Sequence, residues 1–158
     1  MKTKFFTLAL SLVALEAGAF SIDFSGLNGT VVDDTGATVN IDGYGDVTFS
    51  TPAGQSISVG TFFDDTLAFE VPPASTLFIS FEGAPVENFT FQVVGEDPRM
   101  EAQLSTLAAN QYSIQVVNTS TDKVDGLGLA GFEANVVPEP SAALLGALGL
   151  LTLLRRRR

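Results

Sequence analysis

The sequence contains no cysteine, no histidine and no tryptophan. Without Cys there are no disulfides and no thiol chemistry. Without His the usual general base and the usual zinc ligand are missing. Without Trp the largest aromatic platform for a sugar ring is missing as well. Cations are scarce: eight Lys and Arg stand against 18 Asp and Glu over 158 residues. Six of the eight lie near the ends, at Lys2, Lys4, Arg155, Arg156, Arg157 and Arg158. Residues 20–137 hold only Arg99 and Lys123 against 16 acidic residues, a net charge of −14. Such a body repels phosphate backbones and anionic lipid, which excludes nucleic acid as a main partner. It attracts cations, and Ca²⁺ is the natural one for carboxylates outside a cell. The mean hydropathy of +0.31 reflects two apolar ends rather than a greasy middle.

The N-terminal end reads as a secretory signal. Lys2 and Lys4 form a positive start, and Phe5–Leu15 is apolar apart from Thr7 and Ser11. Ala17-Gly18-Ala19 is a small-residue site of the A-x-A kind, which places cleavage after Ala19 by signal peptidase following Sec export. A helix over the apolar stretch spans only about half of a hydrocarbon core, too short for an anchor.

The C-terminal end has three unlike parts in a fixed order. Val137-Pro138-Glu139-Pro140-Ser141 comes first, Ala142–Leu154 is built of Ala, Leu and Gly plus Thr152, and four arginines follow. The prolines enforce an extended stretch, and Ser141 suits a helix N-cap. The Ala/Leu run favours a helix, and Arg155, Arg156, Arg157 and Arg158 suit the cytoplasmic face of an inner membrane as an anchor stop. A core helix ending in four guanidinium groups is a poor alternative.

That order resembles the PEP-CTERM sorting domain, a tail also described as an ice-binding protein C-terminal domain. The resemblance covers residues 137–158. It implies a partner, exosortase, a membrane enzyme that recognises Pro138, Glu139 and Pro140 and cuts near them on the outer side. It implies a Gram-negative-type bacterium, with delivery to the cell surface or extracellular matrix, often alongside exopolysaccharide production. Nothing in the tail's residues bears on ice.

The middle is dominated by a period of two. Leu77, Ile79 and Phe81 share one face; Phe89, Phe91 and Val93 alternate with Asn88, Thr90 and Gln92; Tyr112, Ile114 and Val116 alternate with Gln111, Ser113 and Gln115. Residues 55–59 and 66–71 repeat the pattern, and further strands are expected near 21–24, 38–41, 46–50 and 132–136. Turn residues separate them, as in Asp34-Thr35-Gly36, Pro72-Pro73 and Asp97-Pro98. Residues 101–109 fit either a helical turn or a loop. Short, closely spaced strands imply a mainly β fold: one antiparallel β-sandwich, jelly-roll-like. The expected layout is a signal helix at 1–19, the sandwich at 20–136, and a sorting tail at 137–158 with a transmembrane helix at about 141–154. Most of the 13 Phe fall on inward faces, with Phe62-Phe63 the exception because neighbours on a strand point opposite ways.

Three pieces of chemistry stand out. Asn40-Ile41-Asp42-Gly43-Tyr44-Gly45-Asp46 places oxygen side chains around a double-glycine turn. Asn40, Asp42 and Asp46 suit a Ca²⁺ loop, but an Asp-Gly hairpin predicts the same string, and residue 51 is Thr where an EF-hand carries Glu. The hairpin is the favoured reading, with Ca²⁺ open and no other cofactor expected. Glu70, Glu82 and Glu87 offer carboxylates for glycoside hydrolysis, yet pairs arise by chance among so many acids. Asn28, Asn88 and Asn118 begin Asn-x-Ser/Thr sequons, which carry no assignment in a bacterial chain. The expectation is a non-catalytic exported surface or matrix protein of structural or adhesive role. The alternatives are a carbohydrate-binding module for exopolysaccharide, with Ca²⁺ dependence open, and, weakest, a small glycoside hydrolase.

Overall fold

A computed structural model describes residues 18–62, 65–95, 97–122, 125–137 and Gly149, which is helical. Ala17, the Pro138-Glu139-Pro140 motif, the apolar run apart from Gly149, and Arg155, Arg156, Arg157 and Arg158 lie outside the described residues. Among the described residues no helix is long and apolar enough to cross a membrane.

The described body is mainly β. Its strands are β1 Ala19–Ser21, β2 Val31–Val32, β3 Ala37–Ile41, β4 Gly45–Ser50, β5 Ile57–Phe62, β6 Thr66–Val71, β7 Thr76–Phe81, β8 Val86–Val94, β9 Met100–Ala108, β10 Gln111–Asn118 and β11 Leu127–Val136. All pairings among them are antiparallel. One sheet runs β3-β4-β7-β10-β9. In the other, β8 flanks β11 on one side. On its other side β6 and β1 follow end to end, and β5 and β2 continue outward from β6.

The two sheets face each other across one apolar cluster, a sandwich-like arrangement. Rings close the gap: Phe49 of one sheet lies 4.7 Å from Phe69 and 5.6 Å from Phe132 of the other, and Phe89 lies 4.9 Å from Tyr112. Burial of these aromatics stabilises the sandwich, since each removes a large apolar area from water.

Bulges keep the inward faces in phase. On β11, Leu127 and Leu129 are buried, then Phe132 and Ala134, a switch from odd to even positions. The register against β8 shifts between Ala130 and Glu133, and Gly131 sits there at φ +59°. An extra residue at that point re-phases the alternation, and glycine takes the left-handed conformation without strain. On β8 the same happens at Asn88, φ 51°, so that Val86 and Phe89 both point inward.

Several expectations shift. The strand expected at 21–24 is β1, two residues earlier. The Asp23 carboxylate accepts the Ser25 N–H at 2.9 Å and opens a 3-10 turn at Ser25–Leu27. Ile22 and Phe24 fill the core from this irregular stretch. Residues 101–109, left between helical turn and loop, belong to strand β9 up to Ala108. β9 is an edge strand paired only with β10, and most of it is exposed on both faces. The hydrophobic contrast that marks a half-buried strand is therefore absent.

Candidate functional site

The chain enters and leaves the sandwich at one end. Ala19 lies opposite Asn135, and the Val136 N–H donates to the Gly18 carbonyl at 3.1 Å. One residue on, the Val137 N–H donates to the Pro85 carbonyl at 2.7 Å. The β3–β4 turn and the 82–85 loop are braced together at this end. The Tyr44 hydroxyl donates to the Ala84 carbonyl at 2.9 Å, and its ring stacks on Phe20 at 4.6 Å. Burial pushes the Tyr44 phenol pKa up. A Cβ on Gly83 would meet the Tyr44 carbonyl oxygen at 2.6 Å, so only glycine fits. Asn110, at φ 60° in the β9–β10 turn, accepts the Val86 N–H on Oδ1 at 2.9 Å.

The Asn40–Asp46 string forms the hairpin that its Asp-Gly pair predicts. Asn40 and Asp46 are cross-strand partners, and the Asn40 amide donates to the Asp46 carboxylate at 2.6 Å. Asp42 sits in the exposed turn beside Gly43 at φ 76°. Asn40 and Asp46 thus meet as donor and acceptor. Among the described residues no group of three metal-ligating acidic side chains forms.

The candidate hydrolytic carboxylates belong to different elements. Glu70 lies on β6 opposite Ser58 and Gly128, Glu82 is exposed just beyond β7, and Glu87 is exposed on β8. Arg99 is held by Asp97 through Nε–Oδ1 at 2.8 Å and Nη2–Oδ2 at 2.5 Å, with Asp122 at 3.8 Å. The Arg99 hydrogen bonds lower the Asp97 carboxyl to about 2 from its ordinary 3.8. Hydrogen bonds from Ser25 and Thr35 lower Asp23 and Asp33 in the same direction.

The most site-like surface is the outer face of the five-stranded sheet. Cross-strand pairing sets Ser50, Phe78, Ser113 and Ser105 in one row. Thr38, Thr48, Ser80 and Gln111 form the next. Neither row carries a charge, although the body as a whole is strongly anionic. Phe78 is half-buried at the centre. Beside it lies a shallow groove of about 290 Å³, lined by Ser50, Phe78, Ile79, Ser80, Leu107, Gln111 and Tyr112. Leu107 is 56% exposed. It is also the extra residue of a β9 bulge, since Ala108 pairs with Gln111 and Thr106 with Tyr112.

Phe78 and Leu107 are the residues that sequence reasoning missed. The signal for Phe78 was present: it lies between inward Leu77 and Ile79 and shares parity with Thr76 and Ser80. Leu107 had none, because a bulge on an edge strand leaves no periodic trace. A second hollow of about 440 Å³ lies between Val93 and Leu127 of one sheet and Met100 and Ala102 of the other, with Asp97 and Glu101 also lining it.

Comparisons with protein-family models, with curated proteins and with solved structures find no match to this chain. The resemblance of its tail therefore stands on the tail residues themselves.

Proposed function

We propose that the chain is an exported, non-catalytic component of the bacterial cell surface or extracellular matrix, sorted by exosortase and structural or adhesive in role. The body is then a jelly-roll-like sandwich between a signal helix and a transmembrane helix at about 141–154. The observation that carries this reading is the adjacency of the two chain ends on the sandwich, at Gly18 and Val136. Both lipid-seeking ends leave from one point, so an inner membrane can hold the chain by either end without distorting the sheets. Cleavage after Ala19 leaves Phe20 and Ser21 in register against Ala134 and Glu133, so maturation preserves most of β1. The −14 body faces water and is kept off anionic lipid by its own charge.

Catalysis is not part of this reading. The carboxylates considered for hydrolysis belong to different elements, and Arg99 is engaged by Asp97. Ca²⁺ is given no role in this reading, although the Asn40–Asp46 hydrogen bond uses only the Asn40 amide nitrogen and one Asp46 oxygen. A fall in Tm on adding a chelator would restore it.

The test is made in a host that carries exosortase. Changing Pro138, Glu139 and Pro140 together to Ala should trap the chain in the membrane fraction, whereas the unaltered chain reaches the surface or medium. Identical distribution of the two forms would overturn the sorting claim.

A further inference from the structure

We propose that the groove around Phe78 on the outer face of the five-stranded sheet is a binding site for an uncharged polysaccharide. This gives the adhesive role a ligand. It rests on the fold of the body and holds whether or not the sorting reading does.

Three observations converge. The first is a ring in the middle of a polar sheet. Outward positions on a sheet face are normally polar, and the neighbours of Phe78 across the strands are hydroxyls, Ser50 half-buried and Ser113 buried. A half-buried Phe there offers a flat apolar patch against which the C–H face of a pyranose ring can lie.

The second is the bulge. An unbroken β9 would continue its alternation past Thr106 without an extra residue. The register shift at Gln111/Tyr112 instead places Leu107 in the lining of the groove beside Ser80 and Gln111. Bulges of this kind re-aim a side chain, and they concentrate next to functional sites. Leu107 widens the apolar patch begun by Phe78 at the cost of exposing a leucine.

The third is the polar complement. Ser50, Ser80 and Gln111 ring the patch, and each both donates and accepts hydrogen bonds. That matches sugar hydroxyls, which do both. It does not match an ion, since the row that contains Phe78 and the Thr38–Gln111 row beside it hold no charge. The volume, about 290 Å³, sits at the small end of ligand sites, so the groove takes a short stretch of a longer chain.

The surrounding charge selects among polymers. A net charge of −14 repels uronic-acid or sulfated chains and nucleic acids, and leaves neutral polymers untouched.

The experiment is affinity electrophoresis of the full-length chain in mild detergent. The gels contain dextran, a mixed-linkage β-glucan, a mannan or a galactan, with alginate as the anionic polymer. The expected result is retardation by at least one neutral polymer and none by alginate. Leu107→Ser and Gln111→Ala, both at exposed positions, should each weaken retardation several-fold, and Phe78→Ala at least tenfold with its circular dichroism unchanged. Should Phe78→Ala fail to fold, the two exposed variants decide. No retardation by any of the four neutral polymers overturns the proposal, and so does retardation unaffected by Leu107→Ser and Gln111→Ala. Either result leaves the sorting test untouched, because sorting is read by cell fractionation and binding by mobility in the gel.

Discussion

β9 and β11 are two long strands of similar length with opposite fates. β11 pairs with β1, β6 and β8 and is buried along most of its course. β9 pairs with β10 alone and is exposed along most of its course. Both carry a bulge. In β11 the extra residue is a glycine, and it returns the following side chains to the core. In β9 the extra residue is a leucine, exposed beside Phe78. One device serves packing in the first strand and surface shape in the second. The difference follows from position: a central strand must keep its apolar residues inward, whereas an edge strand is free to turn one out.

The largest contrast is expected in stability. Phe132 is fully buried among Phe24, Phe49 and Phe69. Phe132→Ala should cost about 3–5 kcal/mol in urea unfolding of the body. A loss no greater than that of Leu104→Ala on β9 would break the comparison.

The bulge itself comes next. Gly131 has φ +59°, and a Cβ there would lie 3.1 Å from the Gln92 Cβ. Gly131→Ala should therefore destabilise by roughly 1–2 kcal/mol, from left-handed strain plus crowding. An unchanged unfolding midpoint would mean that the bulge does not need its glycine.

The loop that feeds β9 responds to acid. The folded Asp97 carboxyl holds at about 2 against an ordinary 3.8, so on acidification the unfolded chain takes up that proton first. Its contribution is complete above about pH 4 and is lost as pH falls toward 2. Asp23 and Asp33 act in the same sense. Tm should drop between pH 4 and pH 2.5, and the drop should shrink in Asp97→Asn. A Tm that rises over that interval contradicts these assignments.

The smallest effect belongs to β9. Leu104 and Leu107 are 40% and 56% exposed. Replacing either by Ser should move stability by no more than about 0.5 kcal/mol. A larger loss would mean that this edge is covered by something beyond the described residues.

The sequence was most informative where a strand had one wet and one dry face. β7 and β10 were expected at 76–81 and 111–116, and they lie at Thr76–Phe81 and Gln111–Asn118. Alternation alone was enough, because Leu77, Ile79, Tyr112 and Ile114 keep strict parity. The pattern failed where parity broke. Only 132–136 of β11 was anticipated, since Leu127 and Leu129 are out of phase with Phe132 until the Gly131 bulge is known. In β9, Leu104 and Leu107 stand three apart, a helical spacing that a bulged edge strand happens to share. The candidate site was half legible. Phe78 could have been read from its parity with Ser80, whereas the groove required the register of four strands and the bulge at Leu107. The Asn40–Asp46 string was legible as a hairpin because Asp-Gly turn chemistry is local.

The measurement that bears most directly on export is the intact mass of the product recovered from the surface or medium of its own host. The predicted species begins at Phe20 and ends near Pro138–Pro140, having lost both apolar ends. A full-length chain starting at Met1 and ending at Arg158, recovered from the cytosol, would contradict it.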